Sequence, residues 1–193
     1  MPVRLKNGSV FLHIPKTGGT WVKQILVQLD LAERDPVRAE PLPKIFGGKH
    51  AVSEFNGFAF CFIRHPLTWY ESFFKYQTKI GWKNYSKSHP MSPLNGTRSA
   101  NFNDFINKCL KASPRYLSKM MEPFIERADF IGKQENLTED LIKVLRRLNL
   151  NIDESYIKKY KMINRSLKTR FNWEPKLVKT MKDNEYAILR YYE

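Results

Sequence analysis

The 193-residue chain carries 33 Lys and Arg against 19 Asp and Glu, a formal net charge of +14 and an isoelectric point near 9.8. Its hydrophobic (42%), aromatic (13%) and charged (27%) fractions are those of a globular domain able to bury roughly 70% of its unfolded surface. This excludes a disordered or repeat protein, and no apolar run approaches the roughly 20 residues that cross a bilayer. The charge asks for an anionic partner but does not choose among nucleic acid, an acidic polymer, a membrane surface and a polyphosphorylated cofactor.

In chain order, residues 10–14 are a short apolar run stopped by Pro15, the pattern of a buried strand. A helix over 21–31 follows, with Val22, Ile25, Leu26 and Leu29 on one face. Residues 32–49 read as irregular, punctuated by Pro36, Pro41, Pro43 and the Gly47–Gly48 pair. Residues 58–63 are continuously apolar, as expected of a strand covered on both faces. Pro66 suits the first turn of a helix to about Thr78, with Trp69, Phe73 and Tyr76 along one stripe. A long polar loop is expected over 79–101, then helices over about 102–112 and 115–127. Residues 128–132 (ADFIG) read as a third short strand, and Thr138 as the N-cap of a helix to Leu148. The stretch 156–170 is markedly basic, and 174–193 reads as helical. Strands alternating with helices predict an α/β fold, a three-layer sandwich around a central parallel sheet, in one domain over 1–193.

No apolar stretch precedes the first motif, so no signal peptide is read, and a cytoplasmic location is expected unless the chain belongs to a longer anchored protein. Cys61 and Cys109 read as free thiols of a reducing compartment. Sequons occur at Asn7, Asn84, Asn95, Asn136 and Asn164, and without a secretory signal they read as chance in an Asn-rich chain.

Residues 11–21, FLHIPKTGGTW, join the first strand to the first helix. A helix N-terminus offers free backbone N–H groups and the positive end of its dipole, which favour an anion. Gly18 and Gly19 allow close backbone approach. Lys16 can set an ammonium over the same anion, and Thr17 and Thr20 can add hydroxyl hydrogen bonds. A plain strand–helix turn would use the glycines but has no need of the lysine and threonines. A nucleoside-triphosphate loop carries its lysine after the glycines and relies on a later strand ending in an acidic residue for Mg²⁺. Here Lys16 precedes the glycines, and the second strand runs into Arg64. An arginine cannot hold a metal but can clamp a phosphate bidentately. The two strand ends therefore predict a metal-free site for a ligand with two separate anionic groups.

PKTGGTW resembles the 5′-phosphosulfate loop of the sulfotransferases that use 3′-phosphoadenosine-5′-phosphosulfate (PAPS). FIRHPLTWYESFF resembles their 3′-phosphate motif, an arginine at a strand end and a serine eight residues later, here Arg64 and Ser72. ADFIGKQENLTEDLIKVLRRLNL resembles the strand–ENL–helix segment of the same family, and INRS (163–166) its later Asn-x-Ser segment. In style these motifs resemble bacterial and glycan-type members, and they cover most of the chain in the right order. The resemblance implies a P-loop-like fold, PAPS as sulfuryl donor and adenosine 3′,5′-bisphosphate (PAP) as product. It implies that Lys16, Thr17, Gly18, Gly19 and Thr20 hold the 5′-phosphosulfate, that Trp21 packs near the adenine, and that Arg64 and Ser72 bind the 3′-phosphate. On the residues alone, Ser72 can also be read as a solvated helix serine and Trp21 as a core residue. The late Arg-Lys-Gly loop of cytosolic members is missing, and Arg165, Ser166, Lys168 and Arg170 are the candidates to replace it.

By analogy with phosphoryl transfer, in-line sulfuryl transfer to a hydroxyl or amine has a loose transition state with charge growing on the leaving oxygen. It needs a cation there, donors for the equatorial oxygens and a base for the acceptor. Lys16 and the loop amides answer the first two needs. Among the histidines, His13 reads as structural, His65 lies in the strand-to-helix turn, and His89 in the long loop. His50, in GGKHAVSEF, resembles the base histidine of glycan-type and bacterial relatives, and a neutral imidazole accepts a proton near pH 7. Glu54 is the alternative base, and Lys49 a helper that neutralises the sulfuryl group. Two other readings stand beside the enzyme: a catalytically degenerate PAPS/PAP-binding protein, and a nucleic-acid-binding module suggested by YIKKYKMINRSLKTRF. That second reading leaves the PAPS motifs unexplained and lacks a nucleic-acid motif of its own. The acceptor is not legible, though basic residues over 79–98 and 156–170 leave room for an acidic glycan.

Overall fold

The computed structural model describes residues 2–33, 57–161 and 171–193. Four strands, β1 (Val3–Arg4), β2 (Val10–Leu12), β3 (Ala59–Ile63) and β4 (Phe130–Lys133), form one sheet in the order β1-β2-β3-β4. β2, β3 and β4 run parallel, with Phe11 opposite Phe60 and Cys61 opposite Ile131. β1 is antiparallel to β2, Val3 opposite Phe11, so the sheet is mixed and not wholly parallel as expected. The cause is local. Asn7 and Gly8 make a tight turn, with Gly8 at φ 84° and the Asn7 side chain accepting the Ser9 N–H at 3.1 Å. The chain then returns beside itself as a hairpin. Val3 and Leu5 are buried while Arg4 and Lys6 are exposed, the alternation of a half-buried edge strand.

The pleat sends alternate residues of β2 and β3 into two cores. Val10, Leu12, Ala59, Cys61 and Ile63 pack against α2 (Pro66–Lys79), α3 (Phe102–Ala112), α4 (Tyr116–Ile125), α7 (Pro175–Asn184) and α8 (Tyr186–Leu189). Phe11, Phe60 and Phe62 face α1 (Gly19–Gln28), α5 (Leu137–Arg147) and α6 (Glu154–Lys159). Helices therefore cover both faces, which explains why β3 is buried at all its positions.

Helix ends move with local chemistry. α1 begins at Gly19, earlier than its apolar pattern, because Gly18 caps it in the left-handed region at φ 85°. α5 begins at Leu137 with Asn136 as its N-cap, and Thr138 lies inside the first turn instead of capping it. A 3-10 turn at Gln134–Asn136 has already started the coil there. Within the basic 156–170 stretch, α6 reaches Lys159, and the Asp153 carboxylate accepts the Tyr156 N–H at its N-cap. The tail divides at Glu185 into α7 and α8. The polar stretch after α2 is more ordered than a plain loop: the Asn95 side chain bonds both backbone groups of Tyr85, each at 2.9 Å. Cys61 and Cys109 are free and buried, and burial pushes the Cys61 thiol up to about 12. No helix among the described residues is long and apolar enough to cross a membrane.

Candidate functional site

The loop between β2 and α1 is built by tying down its carbonyls. Ile14 C=O accepts the Thr17 hydroxyl at 2.9 Å, Pro15 C=O accepts the Trp69 indole N–H at 3.0 Å, and Lys16 C=O accepts Arg64 Nη1–H at 3.2 Å. Three successive acceptors are thus engaged by the loop itself, by α2 and by the end of β3. Thr17 is fully buried, so it serves the loop through that internal bond, while Thr20 is exposed at the start of α1. Lys16 itself adopts φ 68°, a conformation that strains any residue with a Cβ.

Both glycines have packing reasons. A Cβ on Gly18 would stand 2.5 Å from Leu137 Cδ2, and its φ of 85° is in the left-handed region. A Cβ on Gly19 would overlap the His13 imidazole. That ring also stacks on Phe11 at 5.9 Å, so His13 is part of the packing under the helix N-terminus.

Arg64 follows directly on β3. Its Nε–H donates to the Thr68 hydroxyl at 3.1 Å, and its Nη1–H reaches across to the Lys16 carbonyl. Lys16 sends its ammonium to the ring of Tyr76, 4.0 Å from the centroid, a cation–π contact. Thr68, Ser72 and Tyr76 are spaced i, i+4, i+8 and share one stripe of α2. That stripe runs from the partner of Arg64 to the partner of Lys16, with Ser72 between them. Ser72 is 5% exposed and Tyr76 40%. Tyr76 therefore lies at the rim with Lys16, apart from Trp69 and Phe73, with which the sequence pattern grouped it. The electrostatics agree with crowding of positive charge. Lys16 is lowered to about 8, by burial first and by the Arg64 charge second. Burial also lowers Arg64, against the opposing pull of Glu135 and Glu71.

Trp21, at the third position of α1, is 2% exposed and belongs to the core that also holds Phe60, Phe62, Leu137 and Leu141. Its indole N–H has no hydrogen-bond partner among the described residues. His65 precedes α2; its backbone N–H donates to Glu135 Oε1 at 3.1 Å, and burial lowers its pKa. His89 accepts the Met91 N–H and stacks on Tyr85 at 4.3 Å. Lys49, His50 and Glu54, together with the INRS segment, Arg165, Ser166, Lys168 and Arg170, lie outside the described residues. Among the described residues no group of three His, Cys, Asp or Glu could hold a metal ion. Thr68 and Tyr76 were missed by sequence reasoning, although helical spacing from Arg64 and Ser72 places them.

Fold and site together define an α/β protein with two cations gathered at the ends of neighbouring parallel strands, beside a helix N-terminus. The model of the sulfotransferase family matches residues 3–192, and the chain belongs to that family. No curated protein and no solved structure matches it.

Proposed function

We propose that the protein is a PAPS-dependent sulfotransferase, with residues 1–193 acting as one catalytic domain. Membership of the sulfotransferase family supports sulfuryl transfer in general. The observation that carries the donor assignment is the pairing of Lys16 with Arg64. Two cations, one in the loop after β2 and one just past β3, linked by Arg64 bonding the Lys16 carbonyl, fit a ligand with two separate phosphate groups. A Lys16 pKa lowered to about 8, by burial first and by the Arg64 charge second, marks an ammonium that a bound anion would stabilise.

When bound, PAPS supplies an activated sulfuryl group attached to a phosphate leaving group. The chain's own residues divide the remaining work. Lys16 is mostly protonated at pH 7 and offers positive charge to the leaving oxygen. The N-terminus of α1, with Gly18, Gly19 and Thr20, offers N–H groups and its dipole to the same phosphate, while Thr17 shapes the loop. Arg64 and Ser72 take the second phosphate, at the 3′ position. Trp21 backs the adenine side from the core. His50 accepts the proton of the acceptor hydroxyl or amine as its oxygen or nitrogen takes the SO₃ group. The basic residues that follow α2 favour an acidic acceptor, and we assign a glycan.

Transfer of label from PAPS to a panel of sulfated and uronic glycans, set against small alcohols, tests this reading. His50→Ala is expected to cut turnover by on the order of a thousandfold while leaving PAP binding nearly intact. Near-normal turnover in that variant would leave Glu54 as the base. PAP binding without turnover on any acceptor would mark a degenerate, binding-only protein.

A further inference from the structure

Tyr192, beyond α8, returns to the end of the sheet where Arg64 emerges. Its hydroxyl donates to Glu135 Oε2 at 3.0 Å, and its ring packs edge-to-face on His65 at 5.3 Å. Lys133 Nζ lies over the same ring, 5.0 Å from its centroid. Glu135, in the turn after β4, uses its other oxygen twice: it accepts the His65 backbone N–H at 3.1 Å and the Thr68 hydroxyl at 3.3 Å. Thr68 in turn accepts Arg64 Nε–H at 3.1 Å. A continuous polar chain therefore runs Tyr192, Glu135, Thr68, Arg64. It joins the end of the fold, the end of β4 and the first turn of α2 to the guanidinium.

We propose that Glu135, held by Tyr192, is a positioning residue that aligns Arg64 and so sets the site's preference for a 3′-phosphate. This rests on the reading that Arg64 meets that phosphate. A hydroxyl has one proton, and that of Thr68 lies within reach of both the Glu135 carboxylate and the His65 carbonyl, the latter at 3.0 Å. Either bond turns the oxygen's lone pairs toward Arg64; the His65 carbonyl is the nearer, and the Glu135 carboxylate adds the pull of its charge. Glu135 also fixes the turn that carries Arg64, because it bonds the backbone N–H of the next residue. An arginine side chain is costly to order, so a guanidinium aligned before the ligand arrives gives more affinity than a free one. The Lys16 ammonium is held elsewhere, over Tyr76, so losing Glu135 should affect only one end of the cradle.

The like sign of Glu135 and a phosphate opens a contrary possibility that the experiment must separate: a carboxylate this close to Arg64 would weaken the anion if it did no positioning. Calorimetric titration of the wild-type chain, Glu135→Ala, Glu135→Gln and Tyr192→Phe with PAP and with 5′-AMP isolates the 3′-phosphate, the sole difference between the two ligands. Glu135→Ala is expected to lose on the order of tenfold in PAP affinity, the worth of one charge-assisted hydrogen bond, with 5′-AMP affinity unchanged. Glu135→Gln keeps an acceptor oxygen and should retain most of the preference, and Tyr192→Phe should lose about threefold. An unchanged PAP to 5′-AMP ratio in Glu135→Ala overturns the proposal, as does a gain in PAP affinity or an equal loss of both ligands. Should Glu135→Ala fail to fold, Tyr192→Phe, which removes one oxygen, decides by the same ratio. A wild-type chain with no preference for PAP would instead remove the assignment of Arg64 to the 3′-phosphate.

Discussion

Lys16, in the loop after β2, and Arg64, just past the end of the neighbouring β3, are held in opposite ways. Lys16 sits on a strained backbone, at φ 68°, and its ammonium lies over the Tyr76 ring. Arg64 is bonded to Thr68 and to the Lys16 carbonyl, and Glu135 pulls on it electrostatically. A lysine ammonium resting over an aromatic ring can turn toward charge as it develops on a leaving oxygen. One that is fixed in advance lowers the cost of binding. The difference fits the proposed division, with chemistry at the Lys16 end and recognition at the Arg64 end.

The largest effect that can break this contrast is on turnover. Lys16→Met should lower kcat by about a thousandfold while PAP affinity falls by less than about tenfold. Parallel losses in both would show that Lys16 is mainly a binding residue. Arg64→Ala should weaken PAP by about a hundredfold, with 5′-AMP much less affected; equal weakening of both would remove the contrast from the other side. Gly19→Ala probes the packing beneath the loop. Its Cβ would overlap His13, and a destabilisation of about 1–3 kcal/mol is expected in denaturant unfolding. A neutral result would mean that the loop end yields easily.

The smallest effect is a pH dependence with a definite sign. Free Lys16 titrates near 8, and a bound anion raises that value, so the complex holds more protons than the free protein above pH 8. PAP affinity should be flat below that pH and decline above it by less than about tenfold in all, the limit set by the loss of the Lys16 charge, with proton uptake visible in buffers of different ionisation enthalpy. The same decline in Lys16→Met would trace it to another group.

Much of this was legible because the signals are local. The continuous apolar run of β3, Pro15 closing β2 and the Arg64 to Ser72 spacing needed only near neighbours. A two-residue edge strand leaves so short an alternation that the sequence does not announce the Asn7–Gly8 hairpin, and the sheet reads as all parallel. Thr138 reads as a cap because nothing local shows that a 3-10 turn begins at Gln134. Gly19 was read for its approach to an anion, whereas the packing of His13 demands it as well. The Glu135–Tyr192 contact joins residues far apart in sequence that meet only when the fold closes, and no periodic pattern announces it. Thr17 shows the same limit, since its hydroxyl turns inward to a carbonyl three residues back.

The most direct test is a competitive titration of the purified protein with PAP and with ATP, each with and without Mg²⁺. A site formed by Lys16 and Arg64 for two separate phosphates should bind PAP at least about tenfold more tightly than ATP, with Mg²⁺ adding nothing. Tighter binding of ATP that depends on Mg²⁺, or no binding of PAP, would contradict it.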